Sequence, residues 1–314
     1  MAHRLAAPPA AVWAALGAIY VIWGATYLGM EIAIETLPPF LMASLRFLLA
    51  GAILFAIFRP RERPTGRQWL SAAIVGAFLL VGGNAMVAVA QQRIDTGVAA
   101  LIVATVPLFL ALGDFAATGR RLAPQAVLGI VVGFAGIALL VHPGGDIDLF
   151  GAFICLLAPL SWAIGSLYAR TAQLPSNLLL GSGMEMLAGG ALLLGVGYAS
   201  GERLHVSEVS ARSWIALAFL VVFGSIVAYS SYVWLLKVAP TELVGTYAYV
   251  NPVIAVLLGA VFLNEAITSW VLLAGAAIVV SVALIVRAQT APKPAAEAES
   301  ELPELDEEGA TLAA

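Results

Sequence analysis

The sequence predicts an all-α membrane protein of ten transmembrane helices, built as two inverted five-helix repeats. Three observations predict it. Of 314 residues, 61% are hydrophobic and only 11% charged, and the mean hydropathy of +0.98 exceeds what a water-soluble core needs. Apolar runs able to cross a bilayer, which takes roughly 20 helical residues, recur ten times. Features of the first five runs then reappear in the last five.

Taken in order, the spans fall at 12–31, 38–58, 68–90, 96–116, 123–142, 150–170, 177–199, 212–236, 240–263 and 267–287, each bounded by proline, glycine or charge clusters. Arg4 precedes the first run, which is too long for a signal-peptide core and reads as a retained helix. Trp23-Gly24-Ala25-Thr26-Tyr27 in span 1 is echoed by Trp162-Ala163-Ile164-Gly165-Ser166 in span 6. Thr96 and Pro107 in span 4 are spaced as Thr241 and Pro252 are in span 9. An odd number of crossings per repeat makes the second copy enter from the opposite face, so the copies are inverted. The first repeat is expected at 10–142 and the second at 150–288, joined by the short loop from His142 to Asp148. Residues 289–314 are acidic and free of aromatics, the composition of a disordered tail.

Span 9 is the most polar of the set, with Thr246, Tyr247, Tyr249 and Asn251 ahead of Pro252. Proline frees a carbonyl one turn back, near Ala248, so the helix is expected to kink or thin out beside Asn251. Tyr247 and Asn251 lie four apart and share a helix face, as a substrate-lining pair would; bonding to a neighbouring helix is the alternative. Other stripes are Trp23, Thr26, Tyr27 and Met30 on span 1, and Asn84, Ala88 and Gln91 on span 3. Trp162 and Ser166 form one on span 6, and Ser225, Tyr229 and Tyr232 one on span 8. Amphipathic rings at depth can stack on an apolar substrate while offering one hydrogen bond.

Ionisable groups inside a bilayer cost roughly 2.5 to 3.5 kcal/mol on insertion scales. Arg46, Asp114 and Glu185 are the ones counted. Arg46 reads as structural, either tied to a broken helix or paired with Glu185, which occupies a similar depth in the other repeat. Glu185 is the candidate for ion coupling, and Asp114 reads as interfacial. Spans 1, 3, 4, 6, 8 and 9 carry no Arg or Lys at mid-depth, so exclusion of strongly anionic substrates is expected. The single Cys155 permits no intrachain disulfide. No H-E-x-x-H, G-x-S-x-G, phosphate-binding glycine loop or Cys/His ligand set is present, so neither an enzyme, a metal site nor a cofactor is expected.

Basic residues from Arg59 to Arg67, at Arg120, Arg121 and Arg170, and at Lys237 and Arg287 fall on one side, with only Arg93, Arg203 and Arg212 on the other. The positive-inside rule puts both termini in the cytoplasm. The chain resembles an EamA-type member of the drug/metabolite transporter superfamily. The matching features are Trp23-Gly24, Pro39 with Arg46-Phe47, Pro107, Trp162, and Tyr247 to Pro252 followed by Leu263-Asn264-Glu265. It departs where Gly119-Arg120-Arg121 stands in the first repeat against Asn264-Glu265 in the second. The resemblance implies a central cavity lined by helices 1, 3, 4, 6, 8 and 9, and export of small metabolites, amino acids or drugs across a bacterial inner membrane. The residues expected to meet substrate are Trp23, Tyr27, Asn84, Trp162, Tyr229, Tyr232, Tyr247 and Asn251, with Pro107 and Pro252 shaping the helices. The partners expected are a small-molecule substrate and the lipid bilayer, without nucleic acid. A secondary transporter by alternating access is the function expected, and a passive facilitator without ion coupling the alternative.

Overall fold

The computed structural model describes residues 8–59, 62–119, 122–141, 147–239 and 241–290, and all regular structure among them is helical. The acidic segment beyond Thr290 and the turn around His142 lie outside the described residues. The main helices are α1 (Pro9–Ile34), α2 (Pro39–Ile57), α3 (Gly66–Gln91), α4 (Thr96–Thr118), α5 (Pro124–Leu140), α6 (Leu149–Ala169) and α7 (Leu178–Ala199). They continue with α8 (211–238), α9 (241–263) and α10 (Ser269–Thr290). Eight are long and apolar enough to cross a membrane, while α5 and the main part of α9, Tyr247–Leu263, are shorter apolar helices of 17 residues.

Local chemistry sets the ends. Pro9, Pro39, Pro107 and Pro124 occupy first turns, where the missing N–H costs no helical bond. Thr65, Asp148, Asn177 and Ser210 cap α3, α6, α7 and α8 with side-chain acceptors. At their far ends α4 and α9 stop on left-handed residues, Gly119 with φ 66° and Asn264 with φ 57°. These two stops are 264 − 119 = 145 positions apart, as the starts at Thr96 and Thr241 are.

The interiors of α4 and α9 differ in register. In α4 the helix breaks at Ala104-Thr105, just before Pro107, and the Thr105 hydroxyl donates to Ile102 O at 2.6 Å. In α9 it breaks at Gly245-Thr246, where the Thr246 hydroxyl donates to Leu243 O at 2.5 Å. The break therefore lies several residues before Asn251, where the kink was expected, at a point where Gly245 weakens the helix and the Thr246 hydroxyl binds Leu243 O. Pro252 is absorbed inside a continuous helix.

Packing pairs helices that are remote in sequence. α2 lies on α7, α5 on α10, α1 on α8 and α9, α3 on α6 and α7, and α4 on α6 and α9. Small residues allow these approaches: a Cβ on Gly76 of α3 would come within 2.6 Å of Glu185 O on α7. Single hydroxyls then bridge helices, Ser44 to Gly190 O at 2.8 Å, Ser161 to Phe78 O at 2.7 Å and Ser281 to Gly129 O at 2.6 Å.

Candidate functional site

Two π-helical segments, Ala77–Ala85 in α3 and Leu220–Val227 in α8, shape the centre of the molecule. A π-turn carries an extra residue and turns a backbone carbonyl out of the helix ladder, which is why such turns concentrate at functional sites. Each faces a tryptophan from another helix. The Trp23 indole N–H donates to Gly224 O at 3.2 Å, and the Trp162 ring lies so close to Gly83 that a Cβ there would stand 2.9 Å from it.

Arg46 joins the two segments. From the middle of α2, its Nε donates to Ser225 Oγ at 2.9 Å and a terminal NH2 group donates to Asn84 Oδ1 at 3.2 Å. Only 5% of the residue is exposed, and two of its five N–H groups account for these bonds. The expected pair with Glu185 does not form. Its hydrogen-bond partners are instead neutral side chains of the two π-segments, Ser225 and Asn84. Arg46 thus brings a cation to the two π-segments from α2, outside the six helices that lack Arg or Lys at mid-depth.

An aromatic cluster adjoins this belt. Trp23 lies 5.3 Å from Tyr232 and 5.1 Å from Tyr247 between ring centroids, Tyr232 and Tyr247 are 5.8 Å apart, and Tyr229 is 6.3 Å from Tyr232. The ring planes are tilted or edge-on, the arrangements that aromatic quadrupoles favour. The Tyr229 hydroxyl shares a 2.8 Å hydrogen bond with Ser182 of α7, and Glu185, one turn further along α7, interacts electrostatically with the same tyrosine. Tyr27 sits one turn beyond Trp23, near enough to interact with Tyr247, and its backbone carbonyl accepts from Gln91 Nε2 at 2.9 Å.

The remaining candidates divide by role. Asn84 is held by Arg46, and Trp162 packs on the neighbouring Gly83 rather than in the four-ring cluster. Asn251 is buried, and with its amide oriented to suit its surroundings it donates to Tyr20 O and Tyr247 O, each at 3.2 Å. It thus ties α9 to α1, as the hydrogen bond between Tyr20 and Thr246 also does. Pro107 and Pro252 are buried in α4 and α9. Asp114 is outside the centre, in an exposed 2.6 Å ion pair with Arg170.

Sequence reasoning passed over Glu31, near the end of α1, which keeps a buried carboxylate oxygen without a donor. A signal was available, since Trp23, Tyr27 and Glu31 recur at four-residue spacing on one face. Two carboxylates also bind helix starts: Glu202, which sequence reasoning missed, and Glu265, which it named within the family pattern but gave no role. Glu202 accepts from the Phe40 and Leu41 amides at 3.1 and 2.9 Å, and Glu265 from the Thr96 and Gly97 amides at 2.7 and 3.0 Å. Among the described residues no group of His, Cys, Asp and Glu could hold a metal ion.

Comparison with known proteins agrees with this architecture. The family described as the EamA-like transporter family matches twice, at residues 9–142 and 149–287. The "Uncharacterized inner membrane transporter YedA" of Escherichia coli (strain K12) is 40% identical over 281 residues, covering 87% of this chain and 90% of that protein. The "Uncharacterized transporter YvbV" of Bacillus subtilis (strain 168) is 24% identical over 288 residues, 90% of this chain and 93% of that one. The "WAT1-related protein At3g02690, chloroplastic" of Arabidopsis thaliana is 26% identical over 286 residues, 87% of this chain and 69% of that protein. A solved crystal structure aligns with TM-score 0.62 over 90% of this chain and 98% of its own, at 22% identity, a likeness of fold alone. With two family matches that span nearly all the helices, this chain belongs to the EamA-like transporter family, within the drug/metabolite transporter superfamily.

Proposed function

We propose that the protein is a secondary transporter of a bacterial inner membrane that exports small metabolites, amino acids or drug-like compounds by alternating access. Two inverted repeats, 10–142 and 150–288, rock around the central belt, and both termini face the cytoplasm. One observation carries this reading: Arg46 bridges Asn84 of the π-segment in α3 and Ser225 of the π-segment in α8, one from each half of the chain. Trp162 and Trp23 meet those segments in the same crossed fashion, each from the other half of the chain. A site shared by both halves at mid-depth is what alternating access needs. The two family matches, one per half, and the excess of basic residues on the terminal side support the repeat and the orientation.

Substrate is met by Trp23, Tyr27, Tyr229, Tyr232 and Tyr247, with Asn84 and Trp162 on the opposite wall and Asn251 holding α9 against α1. The rings fill the space among themselves with tilted and edge-on contacts, so an apolar or aromatic solute enters by replacing ring–ring contact with ring–solute contact. Glu185, beside Tyr229, is the coupling carboxylate. Purified protein in proteoliposomes tests this through substrate flux with and without a pH gradient. Gradient-driven flux against the substrate gradient, reduced by Tyr232→Ala and stripped of its pH dependence by Glu185→Gln, is expected. Flux that only runs downhill, with an unchanged pH profile in Glu185→Gln, makes the protein a passive facilitator instead.

A further inference from the structure

The ends of α1, α3 and α9 and the start of α4 converge on a second polar group, one that the central belt does not use. Glu265 clamps the first turn of α4 through two amides. Glu31 interacts with the carboxylates of Glu265, Asp95 and Glu35, and one of its own oxygens is buried without a donor. The basic residues nearby are otherwise engaged. Arg212 pairs with Glu35 at 3.4 Å and Arg93 with Asp148 at 3.7 Å. Gln91, 3% exposed, donates to Tyr27 O and, at 3.4 Å, to Thr96 Oγ1. Its amide is thereby wedged between α1, one turn before Glu31, and the turn of α4 that Glu265 holds. Gln91 Oε1 is the other buried oxygen without a donor.

Glu31, Asp95 and Glu265 therefore stand together without a basic partner, beside two buried acceptors that lack donors. Burying a charge unpaired is costly, and so is leaving an acceptor unsatisfied. The site lacks one positive charge and one donor, and a single proton on a carboxylate supplies both. We propose that Glu31 is a proton-binding site that controls opening of the transporter on this face. With Glu31 protonated, Glu265 holds α4 shut against α9. With the proton gone, repulsion between the two carboxylates favours release of the clamp. Asp95, in the loop before α4, senses the same field, and burial together with Glu265 pushes its carboxyl above the usual range.

This inference rests on the transporter reading, and the orientation proposed above makes this face the one away from the cytoplasm, but neither the substrate nor Glu185 enters it. The test uses the full chain in proteoliposomes, with Val98→Cys as the reporter, since Val98 lines a small crevice with Asp95 and Glu265. A membrane-impermeant maleimide is supplied to each side separately, and rates are normalised to an exposed Ser207→Cys control. A wrong orientation shows as labelling from the other side, and a wrong transporter reading as absent flux, so each is distinguishable from failure of the gate. Labelling of Val98→Cys should rise at least about tenfold as pH is raised through one group's titration. In Glu31→Gln it should stay low at every pH, and Glu31→Asp should restore the dependence. Glu265→Gln, which removes the repulsion that drives release, should flatten the pH dependence. A wild-type pH profile in Glu31→Gln or in Glu265→Gln, or a rate set by sodium at fixed pH, overturns the proposal. Infrared difference spectra give a second readout: a protonated-carboxyl band lost in Glu31→Gln but kept in Glu185→Gln is expected, and its persistence in Glu31→Gln counts against the site.

Discussion

Glu202 offers a local test of how carboxylates secure the helix starts. Its two oxygens take the Phe40 and Leu41 amides at 3.1 and 2.9 Å, groups that the first turn of α2 cannot satisfy within itself. Glu202→Gln keeps the length and one acceptor, but its NH2 group faces the second amide and its charge is gone. A hydrogen bond to a charged group contributes about 1.5–3 kcal/mol, and an anion at a helix N-terminus about 0.3–1 kcal/mol. Glu202 is partly open to solvent, where screening cuts such contributions, so a reduced loss of about 1–2 kcal/mol is expected. That corresponds to roughly a 5- to 30-fold change in a local opening equilibrium. Hydrogen exchange of peptides covering residues 39–44 reads it directly, because those amides lose protection only when α2 parts from Glu202. Exchange should speed up by that factor there and remain unchanged in α5 and α10. If 39–44 exchange as in the parent, or if every helix speeds up alike, the clamp is not what secures the start of α2.

Arg46→Lys should lower stability by about 1.5–3 kcal/mol, because an ammonium can reach Asn84 or Ser225 but lacks the planar fork that holds both; an unchanged thermal unfolding curve refutes this. In Gly82→Ala the new methyl would stand 2.1 Å from Ser161 Oγ, itself fixed on Phe78 O, so a loss of about 1–3 kcal/mol is expected, with partial recovery in the double variant Gly82→Ala, Ser161→Ala. No recovery in the double variant would place the strain elsewhere. For Asp95 the sign follows from its raised carboxyl: folding favours the protonated form, and stability is lost as pH climbs from the ordinary Asp range through the raised value. Asp95→Asn should therefore be the more stable protein at neutral pH, with the advantage gone below about pH 4; equal pH–stability curves would contradict the burial argument.

The helices were legible because a membrane span is written in composition: an apolar run of the necessary length and a proline or capping side chain at its start mark the element whatever surrounds it. The boundaries of α2, α4, α6 and α7 accordingly fall within two residues of those expected. The π-segments were not legible. Ala77–Ala85 reads AFLLVGGNA, an apolar run that suits an α-helix equally well, and only the tertiary contact of Trp162 with Gly83 distinguishes them. Arg46 was recognised as a residue needing partners, but these lie 38 and 179 positions away. No local pattern joins them. The aromatic residues of span 8 and the start of span 9 were identified by period, and their meeting with Trp23 follows from α1 packing against both helices. Asn251 was read as substrate-lining with bonding to a neighbouring helix as the alternative, and in the fold its amide serves backbone carbonyls of α1 and α9. Glu31 escaped because a carboxyl close to a span's end looks interfacial until α4 and α9 are folded over it.

The clamp of Glu265 on α4 joins residues 169 positions apart. At a synthesis rate of about 5–20 residues per second, the first turn of α4 leaves the ribosome roughly 8 to 34 s before the carboxylate that will bind it. During that interval its free amides must be satisfied by something other than protein. Water and lipid headgroups can do this only at the membrane surface, where unpaired backbone groups are tolerated. The clamp's position at the edge of the apolar span is thus a condition for inserting α4 before its partner exists, and a carboxylate cap at the centre of the bilayer would leave the nascent helix with no safe place to wait.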